Sequence, residues 1–318
     1  MSDIGNYYGS YESAKEYETQ GDILHAALEF WLCYQYYEHG EFPPHADNKL
    51  GLEAFEKYNK YLKQLPYAPL SKTTFIKGCQ CLKSLWLYKN KYSQRVVSSE
   101  LQQKFNRGHV IGNLAQKLFP DGHDASSFDF ELCLKALDKR TPLMLSPLPY
   151  KLKQNLWLNQ TDHFLGLDRV SIYEAAFSFD KTFAAVDILD IIHDKAIAYE
   201  VKSSYDVKDV YILDCALQYY VMSHCTQLDD FFLIYPDEEY VQSLNLDLGD
   251  LTIHNCDINK LFKKKSIIEE VKSLQDYIIE HLKLIKPILT TIREPIQLMG
   301  EHCSSPYDCE FHQYCSEL

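Results

Sequence analysis

Residues 182–203, TFAAVDILDIIHDKAIAYEVKS, decide the fold of this chain. Two runs of apolar, β-branched residues predict two strands that are joined by a short turn at 193–195. Asp187 lies inside the first run, and Glu200 and Lys202 lie at the end of the second. Because side chains alternate along a strand, Glu200 and Lys202 share one face. Two carboxylates at neighbouring strand ends can hold a hard divalent cation, and a lysine beside them can orient or activate a water. The pattern is typical of a site that hydrolyses phosphodiester bonds.

The segments around this stretch predict an α/β core in the order helix, three strands, helix, strand. The predicted elements are a helix at 99–118, strands at 170–179, 182–192 and 196–202, a helix at 207–224 and a strand at 230–235. Asp206 or Asp209 is the expected N-cap of the second helix. Pro236 closes the last strand.

This element order, with its Asp, Glu and Lys, resembles the PD-(D/E)XK nuclease superfamily. Several phrases are similar to those of its RecB-like iron–sulfur branch, which includes the CRISPR-associated RecB-like exonucleases and related uncharacterised bacterial proteins. The phrases are LSKTTFIKG at 70–78, QC at 80–81, LWL at 85–87, IYEAAF at 172–177, DIL at 187–189, EVKSS at 200–204, ALQYY at 216–220 and CSSPYDCEF at 303–311. They run from about residue 70 to the C-terminus and are specific when taken together and in order.

The resemblance implies a restriction-endonuclease-like core, αβββαβ, with a mixed central sheet flanked by helices at 67–318. It implies a Mg²⁺- or Mn²⁺-dependent deoxyribonuclease, with exonuclease action on single-stranded DNA ends as the first expectation. Asp187 and Glu200 would bind the cation, and the carbonyl of Val201 would be a further oxygen donor. Lys202 would position and activate the attacking water.

Two further residues are expected at this site, and one expected residue is missing. Glu174, in the IYEAAF phrase, is a candidate third ligand of the cation. Gln218 is either a residue that positions the lysine, the water or a nucleic-acid strand, or an ordinary polar residue of an amphipathic helix. Related nucleases often carry a helix histidine where this chain has Gly112. The alternative function is therefore a nucleic-acid- or protein-binding scaffold that keeps the nuclease-like fold and has little or no activity.

Ten cysteines give an independent indication of a metal site. The chain shows no signal peptide and no apolar stretch of bilayer length, so we expect a cytoplasmic protein with reduced thiols and no membrane contact. Cys303, Cys309 and Cys315 lie within the last sixteen residues. The resemblance supplies Cys81 as a fourth ligand, with Cys79 as its competitor. Four thiolates suit a structural [4Fe–4S] cluster or, as the alternative, zinc.

The net charge of −13 argues against a general nucleic-acid-coating protein, yet the charge is uneven. Between 71 and 108 the chain carries eight basic residues against one acid, with aromatic residues interleaved. The basic residues are Lys72, Lys77, Lys83, Lys89, Lys91, Arg95, Lys104 and Arg107. This pattern favours a channel for single-stranded nucleic acid over a merely solvated helix face. Lys263, Lys264 and Lys265 could add a second patch.

Three segments lie outside the predicted core. Residues 1–66 are acidic and predict helical stretches at 11–38 and 46–64, similar to one helix pair of a tetratricopeptide repeat, which could bind a protein partner. Residues 142–169 predict an insertion that could form a flap over the active site. Residues 257–297 contain a predicted long amphipathic helix, with apolar residues from Ile267 to Ile285 in helical register, that delivers the C-terminal cysteines.

Overall fold

The computed structural model describes residues 3–38, 48–97, 99–127, 148–193 and 195–317. These residues form two compact units. The first contains the described residues up to 67 together with 126–127 and 148–162, and the second contains those of 68–125 and 163–317. The unit boundary after residue 67 lies next to the predicted one. The described residues of 126–162 belong to the first unit, whereas the sequence analysis assigned them to the domain at 67–318.

The described residues form thirteen α-helices and seven strands. The helices are α1 (Asp3–Gln20), α2 (Ile23–Glu38), α3 (Asn48–Gln64), α4 (Lys72–Gln80), α5 (Leu82–Asn90), α6 (Ser99–Ala115), α7 (Tyr150–Leu165), α8 (Asp209–Ser223), α9 (Glu238–Leu244), α10 (Ile258–Leu261), α11 (Ile268–Ser273), α12 (Gln275–Ile288) and α13 (His312–Ser316). The strands are β1 (Leu70–Ser71), β2 (His123–Asp124), β3 (Arg169–Phe179), β4 (Thr182–Ile192), β5 (Lys195–Val201), β6 (Asp230–Pro236) and β7 (Phe262–Ser266).

The first unit is helical, and one predicted helix is divided in two. The predicted stretch 11–38 breaks at Gly21, whose φ of 77° is a left-handed conformation that glycine adopts at low cost. Asp22 then caps α2, because its carboxylate accepts a hydrogen bond of 3.1 Å from the His25 amide. Lys57 of α3 donates to Glu18 of α1 at 2.7 Å, which fastens these two helices.

Part of the predicted flap at 142–169 is instead helix α7. Residues 142–147 lie outside the described residues, and 150–165 form the helix. Leu152 and Leu156 of α7 are buried in the core of the first unit, in the cluster that also holds Phe30 and Trp31. Burial of these side chains away from water gives α7 a packing role in that core.

The second unit is a mixed seven-stranded sheet flanked by helices, as the α/β prediction requires. The sheet order is β2-β3-β4-β5-β6-β7, and β1 pairs with β4. Strands β3, β4 and β5 are antiparallel neighbours, β5 and β6 are parallel, and β7 is antiparallel to β6. The elements α6, β3, β4, β5, α8 and β6 follow one another in the predicted order, with β2 and α7 inserted between α6 and β3.

One edge of β4 changes its neighbour halfway along the strand. The last five residues of β4, 188–192, pair with β5, whereas its first two residues pair with β1. The opposite edge of β4 pairs with β3 along the strand. Asp187 therefore lies where β5 leaves β4 and before β1 joins it. A fork of this kind leaves backbone groups unpaired by the ladder and makes room for side chains to converge.

The long amphipathic helix predicted within 257–297 is present as two consecutive helices, α11 and α12, which meet at Leu274 and bury Val271, Ile278, Leu282 and Ile285. The part of the segment before them forms α10 and strand β7. The predicted basic patch at 263–265 lies in β7, where Lys263 pairs with Asp237 and Lys265 with Glu270. The prediction for the N-cap of α8 was wrong. The N-cap is Lys208, which makes no side-chain capping bond, and not Asp206 or Asp209.

None of the described helices combines the length and the apolar character needed to cross a membrane.

Candidate active site

The two acids singled out in the sequence meet at the fork between β4 and β5. The antiparallel register pairs Ile188 with Tyr199, so that the next step of the register sets Asp187 opposite Glu200. The Asp187 carboxylate accepts a hydrogen bond of 2.6 Å from the backbone amide of Val201. Glu200 is buried, with 2 % of its surface exposed. The structure thus brings Asp187 to the carboxyl end of β5, beside Glu200 and Lys202.

Two ammonium groups neutralise the Glu200 carboxylate. Lys202 Nζ lies 2.7 Å from Glu200 Oε1 and 2.6 Å from Asp214 Oδ2. Lys72, the first residue of α4, places its Nζ 2.9 Å from the same Glu200 Oε1. Both lysines therefore share one carboxylate oxygen, and Lys202 is also held by α8.

Sequence reasoning missed the roles of Lys72 and Asp214. It assigned Lys72 to a nucleic-acid channel because of its basic neighbours along the chain, whereas the side chain pairs with Glu200. Asp214 received no role. The available signal was its position four residues before Gln218, which puts both on one face of α8.

Burial and the ion pairs around Glu200 together set the pKa values of Asp187, Glu200 and Lys202. Burial raises the pKa of Asp187 to about 6, and the neighbouring charge of Glu200 adds to the rise. Burial alone would also raise the pKa of Glu200, but Lys202 and Lys72 outweigh it and lower that pKa to about 2. Burial opposes the charge on Lys202, yet Asp214 and Glu200 hold its pKa well above the usual value. Glu200 and Lys202 are therefore both ionised at neutral pH.

Glu174 lies across from Asp187 on β3 and has an unusual backbone. The register pairs Tyr173 with Ile188 and Ala175 with Val186, which sets Glu174 opposite Asp187 at a point where the ladder pairing is interrupted. Its φ of 53° is left-handed, a conformation that costs a non-glycine residue about 1 kcal/mol or more. Burial, followed by the charge of Asp187, raises the pKa of Glu174 to about 8. Its carboxyl group is therefore mostly protonated at neutral pH.

Two buried side chains near the centre of the fold have polar atoms without partners. Glu200 Oε2 and both amide atoms of Gln218 make no hydrogen bond in the described part of the chain, and Gln218 is completely buried. Buried polar groups are nearly always satisfied by protein, water or a ligand. Glu200 Oε2 and the Gln218 amide therefore keep hydrogen-bonding capacity that no group in the described part of the chain uses.

The metal-ligand geometry itself is not preformed. Among the described residues, no group of three or more His, Cys, Asp and Glu side chains is arranged to hold a metal ion. At the fork, the ammonium groups of Lys72 and Lys202 supply the positive charge that offsets Glu200.

The structure brings Cys81 to the three C-terminal cysteines. Cys81, Cys303, Cys309 and Cys315 line one small pocket, together with His302 and His312. Cys79 lines a different, larger pocket of about 730 Å³. Burial raises the pKa of the Cys81 and Cys315 thiols, and the neighbouring Cys303 and Cys309 add to the rise in both cases. The four thiols therefore lie around one pocket, although among the described residues no group of three or more His, Cys, Asp and Glu side chains is already arranged to hold a metal ion.

The C-terminal segment is fastened to α4 and α5 by specific contacts. Gln80 Nε2 donates to the carbonyls of His302 and Tyr307, at 2.7 and 2.6 Å. Glu310 pairs with Lys77 and Arg95. These contacts hold the C-terminal cysteines beside the junction of α4 and α5.

The same contacts correct the interpretation of the basic stretch 71–108 as an open channel. Glu310 takes up the charges of Lys77 and Arg95, and Glu294 takes up those of Lys83 and Lys91. The counting of charges along the sequence did not detect these pairs, because both acids come from more than two hundred residues further along the chain. Most of the basic groups therefore have structural partners.

Comparison of the chain with protein-family models, with curated proteins and with solved structures finds no match.

Proposed function

We propose that the chain is a Mg²⁺- or Mn²⁺-dependent nuclease that hydrolyses DNA phosphodiester bonds. The expected substrate is the end of a single-stranded DNA. The observation that carries the proposal is the convergence at the β4–β5 fork. Asp187 accepts a hydrogen bond from the Val201 amide, and Lys202 donates one to Glu200 Oε1. The other carboxylate oxygen of Glu200, Oε2, is buried without a partner in the described part of the chain. Two carboxylates and an ammonium group at neighbouring strand ends suit a hard cation and a phosphate substrate.

The residues would divide the work as follows. Asp187 and Glu200 would hold the cation, with Glu174 and the Val201 carbonyl as further oxygen donors. A bound divalent cation polarises the phosphoryl oxygen and lowers the pKa of a water. Lys202 would act through its charge, orienting the water and stabilising the charge that develops on the phosphate, because its raised pKa keeps it protonated.

Two residues of α8 would support this chemistry. Asp214 bonds Lys202 at 2.6 Å and would fix the direction of its ammonium group. Gln218 has a completely buried amide whose oxygen and nitrogen are both unused, so it could accept from and donate to a buried water that supports the site. A buried amide with neither group satisfied is costly for the fold unless a ligand or a water completes it.

The donor set of the thiol pocket fits a [4Fe–4S] cluster, with zinc as the alternative. Four thiols line one pocket, and four thiolates suit either group. Cys81, Cys303, Cys309 and Cys315 would be the ligands. Such a group would supply cross-linking between the start of the module and its end, so we assign it a structural role.

The test is anaerobic purification with iron and zinc analysis, followed by cleavage of end-labelled single-stranded DNA and circular DNA with Mn²⁺. Loss of cleavage in Lys202→Met, with retained cleavage in the exposed-lysine control Lys260→Met, is the expected result. Lys260 is 70 % exposed, so it serves as a matched control. Metal-independent cleavage, or full activity of Lys202→Met, would overturn the mechanism. DNA binding without any cleavage would point to the scaffold function instead.

A further inference from the structure

The environment of Lys72 differs from that of Lys202 in a way that assigns it a separate task. Lys202 is held by two carboxylates from two elements, Glu200 and Asp214. Lys72 donates to Glu200 alone among the hydrogen-bond acceptors of the described residues. The Lys72 side chain is 30 % exposed, compared with 17 % for Lys202 and 2 % for Glu200. Lys72 is thus the less restrained of the two cations and the one nearer to solvent.

The backbone that carries Lys72 is fixed, so only its side chain is free to move. Leu70 and Ser71 are paired with β4. Ser71 and Thr74 form a reciprocal capping box, in which the Ser71 amide donates to Thr74 Oγ1 at 2.8 Å. The flexible four-carbon stem of a lysine can then swing its ammonium group while α4 stays in place.

A cation that binds Glu200, even at its unpartnered Oε2, is repelled by these lysines. Both ammonium groups contact Glu200 Oε1, so a divalent ion near that carboxylate meets two positive charges within a few ångströms. Lys202 has Asp214 to hold it, whereas Lys72 has no second carboxylate partner among the described residues and is the more exposed of the two. The lower energetic cost is therefore the displacement of Lys72.

We propose that Lys72 is a displaceable cation of the active site. It neutralises Glu200 when no divalent ion is bound, is released when the ion takes Glu200, and then contacts a phosphate of the DNA substrate. The phosphate contact rests on the function proposed above, whereas the competition for Glu200 does not. In this role Lys72 couples occupation of the metal site to substrate binding.

The first arm of the test measures Mn²⁺ affinity without DNA, by the electron paramagnetic resonance signal of free Mn²⁺. Removal of a like charge that contacts a ligand should tighten binding by about tenfold in Lys72→Met. Lys260→Met, at an exposed lysine outside the site, should bind Mn²⁺ as the native protein does. An affinity of Lys72→Met that is unchanged or weaker would overturn the competition. Lys72→Gln gives the same test should the methionine variant fail to fold.

The second arm measures binding of a single-stranded oligonucleotide with Ca²⁺ at saturation, over a range of salt concentrations. Loss of one phosphate contact should weaken binding by Lys72→Met and should reduce the slope of log Kd against log salt by about 0.7. Tighter Mn²⁺ binding with weaker DNA binding is a combination that mere damage to the fold would not produce. An unchanged slope would overturn the phosphate contact.

The two arms also separate the failure of each proposal. If the native protein binds Mn²⁺ but neither binds nor cleaves DNA, the proposed function fails and the phosphate contact falls with it. The difference in Mn²⁺ affinity between native protein and Lys72→Met still decides the competition for Glu200 in that case.

Discussion

Glu310 is the side chain whose loss should most weaken the attachment of the C-terminal segment. Its carboxylate is 8 % exposed and pairs with Lys77 and, at 2.6 Å, with Arg95. The backbone carbonyl oxygen of Glu310 accepts a hydrogen bond of 2.9 Å from the Val96 amide. The neighbouring Phe311 is completely buried in the cluster of Trp86 and Leu87. Glu310 thus lies at the centre of the contacts that hold Cys309 and Cys315 in place.

The change Glu310→Gln keeps the shape of the side chain and removes its charge. Removal of one partner from a buried ion pair costs about 3–5 kcal/mol, because the other charge is left uncompensated. The Lys77 and Arg95 side chains are 17 and 18 % exposed, so water screens part of that loss. We therefore expect a decrease of about 2–4 kcal/mol in the free energy of unfolding.

The assay is urea unfolding under anaerobic conditions, with Glu294→Gln as the matched control. Glu294 also pairs with two lysines, Lys83 and Lys91, but it is 24 % exposed, so its loss should cost about 1 kcal/mol or less. Equal effects of the two substitutions, or a cost below about 1 kcal/mol for Glu310→Gln, would refute the reasoning from burial.

The pH dependence gives an independent check on Glu310. Burial would raise its pKa, but hydrogen bonds from Arg95 and Lys77 outweigh burial and lower it. A lowered pKa in the folded state stabilises the protein above the ordinary glutamate pKa. That contribution is lost as the pH falls through the lowered pKa. The native protein and Glu310→Gln should therefore converge in stability in acid.

Three further outcomes are expected. Cys81→Ser should lose the bound iron or zinc measured after anaerobic purification, whereas Cys79→Ser, which lies in a different pocket, should retain it. Binding of Mn²⁺ at pH 7 should release a proton from Glu174, because its pKa is about 8. Calorimetry in buffers of different ionisation enthalpy measures this release, and Glu174→Gln should abolish it. Gly112→Ala should raise the free energy of unfolding by about 0.4–1 kcal/mol, because a Cβ at this position meets no atom within 4 Å. Gly78→Ala should instead lower it by about 1–3 kcal/mol, because a Cβ at that position would approach the buried Ile285 side chain to 2.8 Å. Thermal unfolding of both glycine variants decides that comparison.

The strands were predictable because their signals are local. The alternation and β-branched composition of 182–203 predict β4 and β5, and the structure has β4 at the predicted bounds and β5 within one residue of them. The same alternation puts Glu200 and Lys202 on one face, and their contact at 2.7 Å confirms it. The meeting of Asp187 with the end of β5 follows from the antiparallel register of two strands joined by a short turn.

The missed parts of the site depend on contacts that are distant in sequence. Lys72 reaches Glu200 across 128 positions, and nothing in its neighbourhood distinguishes it from the other lysines of α4 and α5. The segment 257–297 was only partly predictable for a different reason. The apolar spacing over 267–285 predicts α11 and α12, whereas β7, with the sequence FKKKS, forms by pairing with β6, which periodicity alone does not reveal.

Helix α4 connects the two candidate centres of the second unit. Its first residue, Lys72, contacts Glu200, and its C-cap residue is Cys81 in the thiol pocket. A helix of nine residues is about 13 Å long and moves as a rigid element. Its position is fixed at one end by the capping box at Ser71 and along its length by the approach of Gly78 to Ile285. A metal or cluster held by Cys81 would therefore restrain the same helix that aims Lys72 at the carboxylates. Loss of that group would therefore change the proposed Mn²⁺ affinity of the β4–β5 fork, although Cys81 itself is not part of the fork.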